Sequence, residues 1–183
     1  MKSKSLVIGL LLVTALFVGC GSKKVVEETK VPETTKEESV DAVTSSSIVK
    51  SDDGLIKALS ADGTWIIAIT GDLQTTKELV MDGVFYSKDD KANGLARKLA
   101  LYDQDADKKV TASHTLTAPK MTVKSENGKI QEGTFVGDIY VEANGFLLKN
   151  TKVKGNVYFA NEEYKNSFKL DGGEISGVTE VKK

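Results

Sequence analysis

Three aspartates at alternating positions raise the possibility of metal chemistry. Asp103, Asp105 and Asp107 could turn their carboxylates toward one hard cation, as the alternating acids of calcium-binding loops do. The pattern then fails, because Lys108 stands where such a loop needs glycine and His114 where it needs a bidentate glutamate. We therefore expect a solvated acidic turn and no bound metal or other cofactor. A calcium site at the three aspartates is the alternative.

The residues that most enzyme mechanisms need are scarce. His114 is the only histidine and Cys20 the only cysteine, too few for the three or four ligands of a zinc site. No glycine-flanked nucleophilic serine, P-loop or dinucleotide-binding glycine fingerprint occurs. These absences favour a non-enzymatic protein. A carbohydrate-active enzyme, either a polysaccharide lyase or a hydrolase, would need an acid cluster built from the loops at 86–96, 103–109 and 160–166.

Two tyrosines offer a candidate binding surface. Tyr140 and Tyr158 occupy equivalent places in successive copies of a repeated unit, and Lys124, Glu142 and Asn156 flank them. Aromatic rings on adjacent strands could stack on a sugar ring or contact a partner, while the flanking groups form hydrogen bonds. The same rings could instead form an aromatic ladder that only stabilises the fold.

A short repeat must position these tyrosines. Residues 120–137, 138–155 and 156–177 each open with an alternating apolar strand and close on an apolar residue two before a glycine. A unit this short, without a helical period, cannot bury its own apolar side, so it has to stack on its neighbours. We therefore predict an all-β fold, a single-stranded right-handed parallel β-helix or β-solenoid. An antiparallel β-sandwich is the alternative, although it would not require one pattern at a fixed offset.

The earlier part of the chain extends this prediction to about five coils. In the predicted register, Ile67 and Ile69 match Leu99 and Leu101, and these match the inward pairs that begin with Met121. The outward positions between them then fall in one column, made of Ala68, Ala100, Thr122, Tyr140 and Tyr158. On the same register, Asp138 lies beside Lys120 and Glu142 beside Lys124, which predicts a ladder of ion pairs.

A short helix is predicted ahead of the first strand. Asp52-Asp53-Gly54 offers an N-cap for an amphipathic helix that ends at Asp62-Gly63, directly before the strand 65–70. The run 53–73, DGLIKALSADGTWIIAITGDL, resembles the N-terminal start of pectin-lyase-like β-helix proteins, in which a helix caps the apolar core. The resemblance is one of fold, and no catalytic motif of the lyases accompanies it. Residues 130–159 also resemble the glycine-punctuated coils of bactofilins, which are polymer-forming β-helix proteins.

The N-terminus resembles that of a bacterial lipoprotein. Lys2 and Lys4 precede an apolar run at 6–18 that is too short for a stable transmembrane helix. Cys20 follows where a cleavage site is expected, as in the lipobox whose cysteine is lipidated and becomes the mature N-terminus. The resemblance implies that a lipid on Cys20 anchors the protein to the extracytoplasmic face of the cell membrane.

The chain divides into three predicted regions. Residues 1–19 are a lipoprotein signal peptide, 20–48 are the lipidated cysteine with a disordered tether, and 49–183 are the β-helix domain. We expect a lipid-anchored envelope protein that acts as a binding or structural module, with a cell-wall glycan or an envelope protein as partner. The alternatives are the carbohydrate-active enzyme and a bactofilin-like self-assembling protein, so the oligomeric state stays open. Nucleic acid is not an expected partner, because the chain has a net charge of −1 and no basic patch.

Replacing Cys20 tests the predicted anchor. Cys20→Ala should leave the protein unprocessed or release it from the membrane fraction, because no other cysteine can accept the lipid. Fractionation of cells followed by mass spectrometry of the N-terminus measures both outcomes, with Ser22→Ala as the matched control. A Cys20→Ala protein that is processed and retained like wild type would contradict the lipoprotein interpretation.

Overall fold

The computed structural model describes residues 46–182, which are mostly β-strands in parallel sheets. The predicted signal peptide, Cys20 and the predicted tether up to residue 45 lie outside the described residues, whereas residues 46–48 of that predicted tether belong to the first strand. The strands are β1 Ser46–Val49, β2 Ile66–Ile69, β3 Leu73–Gln74, β4 Leu79–Met81, β5 Arg97–Ala100, β6 Tyr102–Gln104, β7 Val110–Ser113, β8 Thr115–Val123, β9 Gly128–Gln131, β10 Thr134–Val141, β11 Leu147–Lys149, β12 Lys152–Lys154, β13 Val157–Phe159, β14 Lys169–Asp171, β15 Glu174–Ile175 and β16 Thr179–Val181. The helices are α1 Asp52–Leu59 and α2 Glu162–Ser167, and two 3-10 turns lie at Ser87–Asp89 and Lys91–Asn93.

Two parallel sheets contain almost all of these strands. One has the order β1-β2-β5-β9-β11-β14. The other has the order β15-β12-β10-β13-β16, and β8 joins it by pairing with β10, β3 and β4. The antiparallel hairpin β6-β7 stands apart from both sheets. Because parallel neighbours cannot be joined by a tight hairpin, each repeat leaves one sheet and returns to it later in the chain.

The register between repeats agrees with the sequence pattern. Ile139 of β10 pairs with Met121 on one side and Val157 on the other. Ile130 pairs with Leu148 in the other sheet, at the same sequence offset that separates Met121 from Ile139. All five of these side chains are completely buried. These five predicted inward positions are therefore confirmed, and the core lies between the two sheets. Leu170, the partner of Leu148 in the last repeat, is exposed.

The predicted register of the earlier segments is wrong in one step. Ile67 does pair with Leu99, but Leu99 then pairs with Ile130, in the six-stranded sheet. Met121 belongs to the other sheet and pairs with Leu79. Alternating apolar residues face the core in both sheets, so the pattern alone does not distinguish them. The predicted outward column is divided between the two sheets for the same reason. In the six-stranded sheet, Ala68 pairs with Ala100, which pairs with Gln131. In the other sheet, the row of paired residues is Val80, Thr122, Tyr140, Tyr158 and Glu180.

The glycines that close the repeats serve two different purposes. Gly137 has a φ of 135°, which side chains rarely adopt, and a Cβ there would also collide with the carbonyl oxygen of Ala118. Gly155 has no such backbone angle, but its Cβ would collide with the carbonyl oxygen of Gly137 in the neighbouring repeat. Close approach of one repeat to the next therefore excludes a side chain at Gly155.

Helix α1 covers one end of the core, but it follows a first strand and does not precede it, because residues 46–49 form β1 and pair with β2. Its N-cap is Ser51, one residue before the predicted run Asp52-Asp53-Gly54, because the Ser51 hydroxyl accepts a hydrogen bond from the Gly54 amide at 3.2 Å. Leu55 and Leu59 are completely buried, and the helix packs on β1, β2 and β4. The end of the apolar core near β1 is thereby removed from water.

Arg97 holds the C-terminal end of this helix. The residue is 1% exposed, and its guanidinium donates to the carbonyl oxygens of Ala58 at 2.6 Å, Ser60 at 3.0 Å and Asp82. It also lies 3.6 Å from the centroid of the Phe85 ring. Burial lowers the pKa of Arg97 to about 10, so the group stays charged at neutral pH. A cation at a helix C-terminus satisfies carbonyls that lack a partner within the helix.

Removing the guanidinium should destabilise the protein. We expect Arg97→Met to lower the free energy of unfolding by about 1–3 kcal/mol, because it leaves buried carbonyl oxygens without donors. The folded pKa lies below the unfolded one, so the cost of burying the charge is constant at lower pH and is relieved only as the pH rises above about 10. The difference in the free energy of unfolding between the wild type and Arg97→Met should therefore not vary with pH below about pH 9.

Urea unfolding followed by circular dichroism measures this difference. Lys154→Met is the matched control, because it removes an exposed cation from β12. Equal losses of stability in the two variants would contradict the role of Arg97 at the end of α1.

Candidate functional site

The two tyrosines of the predicted surface are neighbours in the structure. Tyr140 of β10 and Tyr158 of β13 are Cα partners, and both point away from the core because Ile139 and Val141 point into it. Their ring centroids are 4.9 Å apart and the ring planes make an angle of 44°. Two parallel strands therefore hold both rings in a fixed arrangement without the use of a loop.

Two lysines that the sequence analysis did not assign to this surface lie over the rings. Lys120 Nζ is 5.5 Å from the Tyr140 centroid, and Lys182 Nζ is 4.3 Å from the Tyr158 centroid. The phenol groups of Tyr140 and Tyr158 raise the pKa of Lys182. With these lysines in place, Tyr158 is only 8% exposed, whereas Tyr140 is half-buried. Tyr140 is therefore the ring that a ligand could reach more easily.

The flanking residues have different roles from one another. Lys124 Nζ lies 3.9 Å from Glu142 Oε2, so the predicted pair forms, with both side chains about half exposed. Asn156 is occupied within the fold: its Nδ2 donates to Asp138 Oδ1 at 2.9 Å, and its Oδ1 accepts from the Val178 amide at 2.9 Å. Lys124 and Glu142 thus remain candidates for ligand contact, while Asn156 fixes the chain next to Tyr158.

Only one of the two ion pairs of the predicted ladder forms. Asp138 and Lys120 are Cα partners, but Lys120 Nζ pairs with Glu78 Oε2 at 2.7 Å. That contact raises the pKa of Lys120. Asp138 instead accepts hydrogen bonds from the backbone and side-chain amides of Asn156. Glu78 precedes β4, which the predicted register had not placed beside β8.

The three aspartates occupy different parts of the hairpin β6-β7 and have different neighbours. Asp103 lies in β6, and its Oδ2 is 3.0 Å from Nε2 of His114. Asp105 Oδ1 accepts a hydrogen bond from the Lys109 amide at 2.9 Å, and Asp107 is exposed in the same turn. Over residues 46–182, no group of three or more His, Cys, Asp or Glu side chains is placed to hold a metal ion.

The three segments proposed to supply acids adopt three different structures. The segment 86–96 contains the two 3-10 turns and is closed by a bridge between Tyr86 and Leu95. The segment 103–109 belongs to the hairpin, and most of 160–166 forms α2, which the sequence pattern did not predict. Within α2, Glu163 Oε1 accepts a hydrogen bond from Asn144 at 2.8 Å.

Comparison of the chain with protein-family models, curated proteins and solved structures found no match. In the part of the chain that the structure describes, no helix is long and apolar enough to cross a membrane. Function is therefore inferred from the residues and distances given above.

A calcium chelator should have no effect on the stability of the protein. A chelator should leave the melting temperature unchanged, because His114 lies beside Asp103 and a backbone amide already occupies Asp105. Differential scanning fluorimetry with a chelator and with added calcium measures this, and Asp105→Ala is the comparison. A chelator that lowers the melting temperature of the wild type but not of Asp105→Ala would show that the acidic turn binds calcium.

Proposed function

We propose that the described residues form a single-stranded right-handed parallel β-helix. The repeated register supports this: Phe135 pairs with Val153, and Val153 pairs with Ile175, while Ile130, Leu148 and Leu170 form the equivalent row in the other sheet. Each repeat thus contributes strands to the same sheets in the same order. Crossover connections between parallel strands of one sheet are almost always right-handed, which favours that hand here.

We further propose that this β-helix is a non-enzymatic binding module of the bacterial cell envelope, anchored outside the membrane by a lipid on Cys20. Its proposed ligand is a neutral cell-wall glycan. The observation that carries this proposal is the ring pair of Tyr140 and Tyr158, held at 4.9 Å on two paired strands. Because the rings need no reordering, binding would lose little conformational entropy.

The surface has the composition that a neutral sugar requires. The half-buried Tyr140 offers an aromatic face for a sugar ring, and Lys124 and Glu142 lie on the same outer face to bind hydroxyl groups. The ion pair between these two side chains leaves no net charge at that point of the surface. The lysines over the rings limit how much of Tyr158 a ligand can contact, so Tyr140 should dominate the interaction.

Substitution of Tyr140 tests the proposed binding surface. In pull-down on insoluble peptidoglycan and on a panel of immobilised neutral glycans, Tyr140→Ser should lose binding, whereas Tyr140→Phe should keep most of it because the ring remains. Tyr86→Ser is the matched control, since Tyr86 is also half-buried with a lysine, Lys91, 5.8 Å from its ring centroid. Circular dichroism confirms that each variant is folded.

Two outcomes would contradict the proposal. If Tyr140→Ser binds like the wild type but melts earlier, the ring pair is an aromatic ladder that only stabilises the fold, worth about 0.5–1.5 kcal/mol. If the wild type binds none of the glycans, the module has another ligand or a structural role. Analytical ultracentrifugation of the same samples tests the self-assembling alternative.

A further inference from the structure

Two lysines lie side by side on the outer face of the six-stranded sheet. Lys98 of β5 and Lys129 of β9 are Cα partners, and the next residues, Leu99 and Ile130, are completely buried. Alternation therefore directs both lysines away from the core, at the strand separation of about 4.8 Å. Both side chains are nonetheless half-buried. Lys98 Nζ lies 3.5 Å from the hydroxyl of Tyr102, and the tyrosine residue as a whole is 9% exposed.

Within the part of the chain that the structure describes, no carboxylate lies at ion-pair distance from either ammonium group of this pair. Among residues 46–182, neither Lys98 nor Lys129 takes part in an ion pair, although five other lysines do: Lys77, Lys120, Lys124, Lys149 and Lys152. Half-burial of two like charges without a partner is costly, because desolvation and mutual repulsion both oppose it. Neutralisation by a bound anion would relieve both costs.

The other charged groups near the pair carry both signs. Lys149 lies close enough to act on Lys129, and its own carboxylate neighbour, Asp171, is 3.8 Å away from it. Glu132 is near Tyr102 and accepts a hydrogen bond from Asn150 at 2.9 Å. Burial lowers the pKa of Lys98 and, together with the charges of Lys98 and Lys149, lowers the pKa of Lys129.

We propose that Lys98, Lys129 and the Tyr102 hydroxyl form a binding site for a phosphate group. Phosphate carries several acceptor oxygens, so it can accept hydrogen bonds from both ammonium groups and from the hydroxyl at once. The site lies on the six-stranded sheet, whereas Tyr140 and Tyr158 lie on the other sheet, so it does not depend on the proposed glycan surface. The group could be free inorganic phosphate or part of a lipid headgroup.

Isothermal titration calorimetry of the full-length chain with inorganic phosphate tests the site at neutral pH. Lys98→Gln/Lys129→Gln should weaken binding by about tenfold or more, since it removes two charge-assisted contacts. Lys152→Gln/Lys154→Gln is the matched control, because it removes the same charge from exposed positions on β12. The control should bind like the wild type.

A second measurement does not depend on any variant. Millimolar phosphate should raise the melting temperature of the wild type, and sodium chloride at equal ionic strength should not. Binding to vesicles of phosphatidylglycerol, compared with phosphatidylcholine, separates the two sources. Loss of phosphatidylglycerol binding in Lys98→Gln/Lys129→Gln but not in the control would identify a lipid headgroup, and binding of inorganic phosphate alone would identify the free ion.

The proposal is overturned by any of three results. The first is a wild type that shows no response to phosphate in titration or melting temperature and no preference for phosphatidylglycerol vesicles. The second is equal weakening in the test and control variants, which would mean that only net charge matters. The third is undiminished phosphate binding in Lys98→Gln/Lys129→Gln.

Discussion

The structure depends on the register in which each stretch of chain lies on its parallel neighbour. In a strand, successive side chains point to opposite faces, so a slip of one residue would exchange the buried and exposed sets. Ile139 and Val141 are completely buried, while Tyr140 between them lies on the outer face. A slip would place the Tyr140 ring in the core and expose both apolar side chains. The same constraint therefore builds the core and positions the outer surface.

Two local features allow this register to be maintained. At the corners, Gly137 and Gly155 let successive repeats approach so closely that a side chain would collide with a backbone carbonyl. At the end near β1, α1 covers the core and Arg97 binds the carbonyls at the C-terminal end of the helix. The corners thus determine how repeats stack, and the buried guanidinium joins the covering helix to the sheet that contains β2 and β5.

The two outer faces differ in how their lysines are neutralised. On the face that carries Tyr140 and Tyr158, Lys120 pairs with Glu78, and Lys182 lies over an aromatic ring. On the six-stranded sheet, Lys98 and Lys129 have neighbours of the same charge and no ion pair within the described residues. One parallel scaffold therefore carries an aromatic surface whose lysines have partners and a cationic surface whose lysines form no ion pair among residues 46–182.

The sequence alone determined the predominance of β-strands, the equal spacing of the strands that open the three repeats and the inward side of those strands, because alternation and repeat length are local properties. It also placed Tyr140 beside Tyr158, since both belong to regular repeats. Only the tertiary structure decided which sheet each early strand joins, because the same alternation suits both sheets. It likewise decided the contacts of Arg97 and the adjacency of Lys98 and Lys129, which β6, β7, β8 and their turns separate along the chain. Such contacts depend on the path of the intervening chain, and no local pattern records that path.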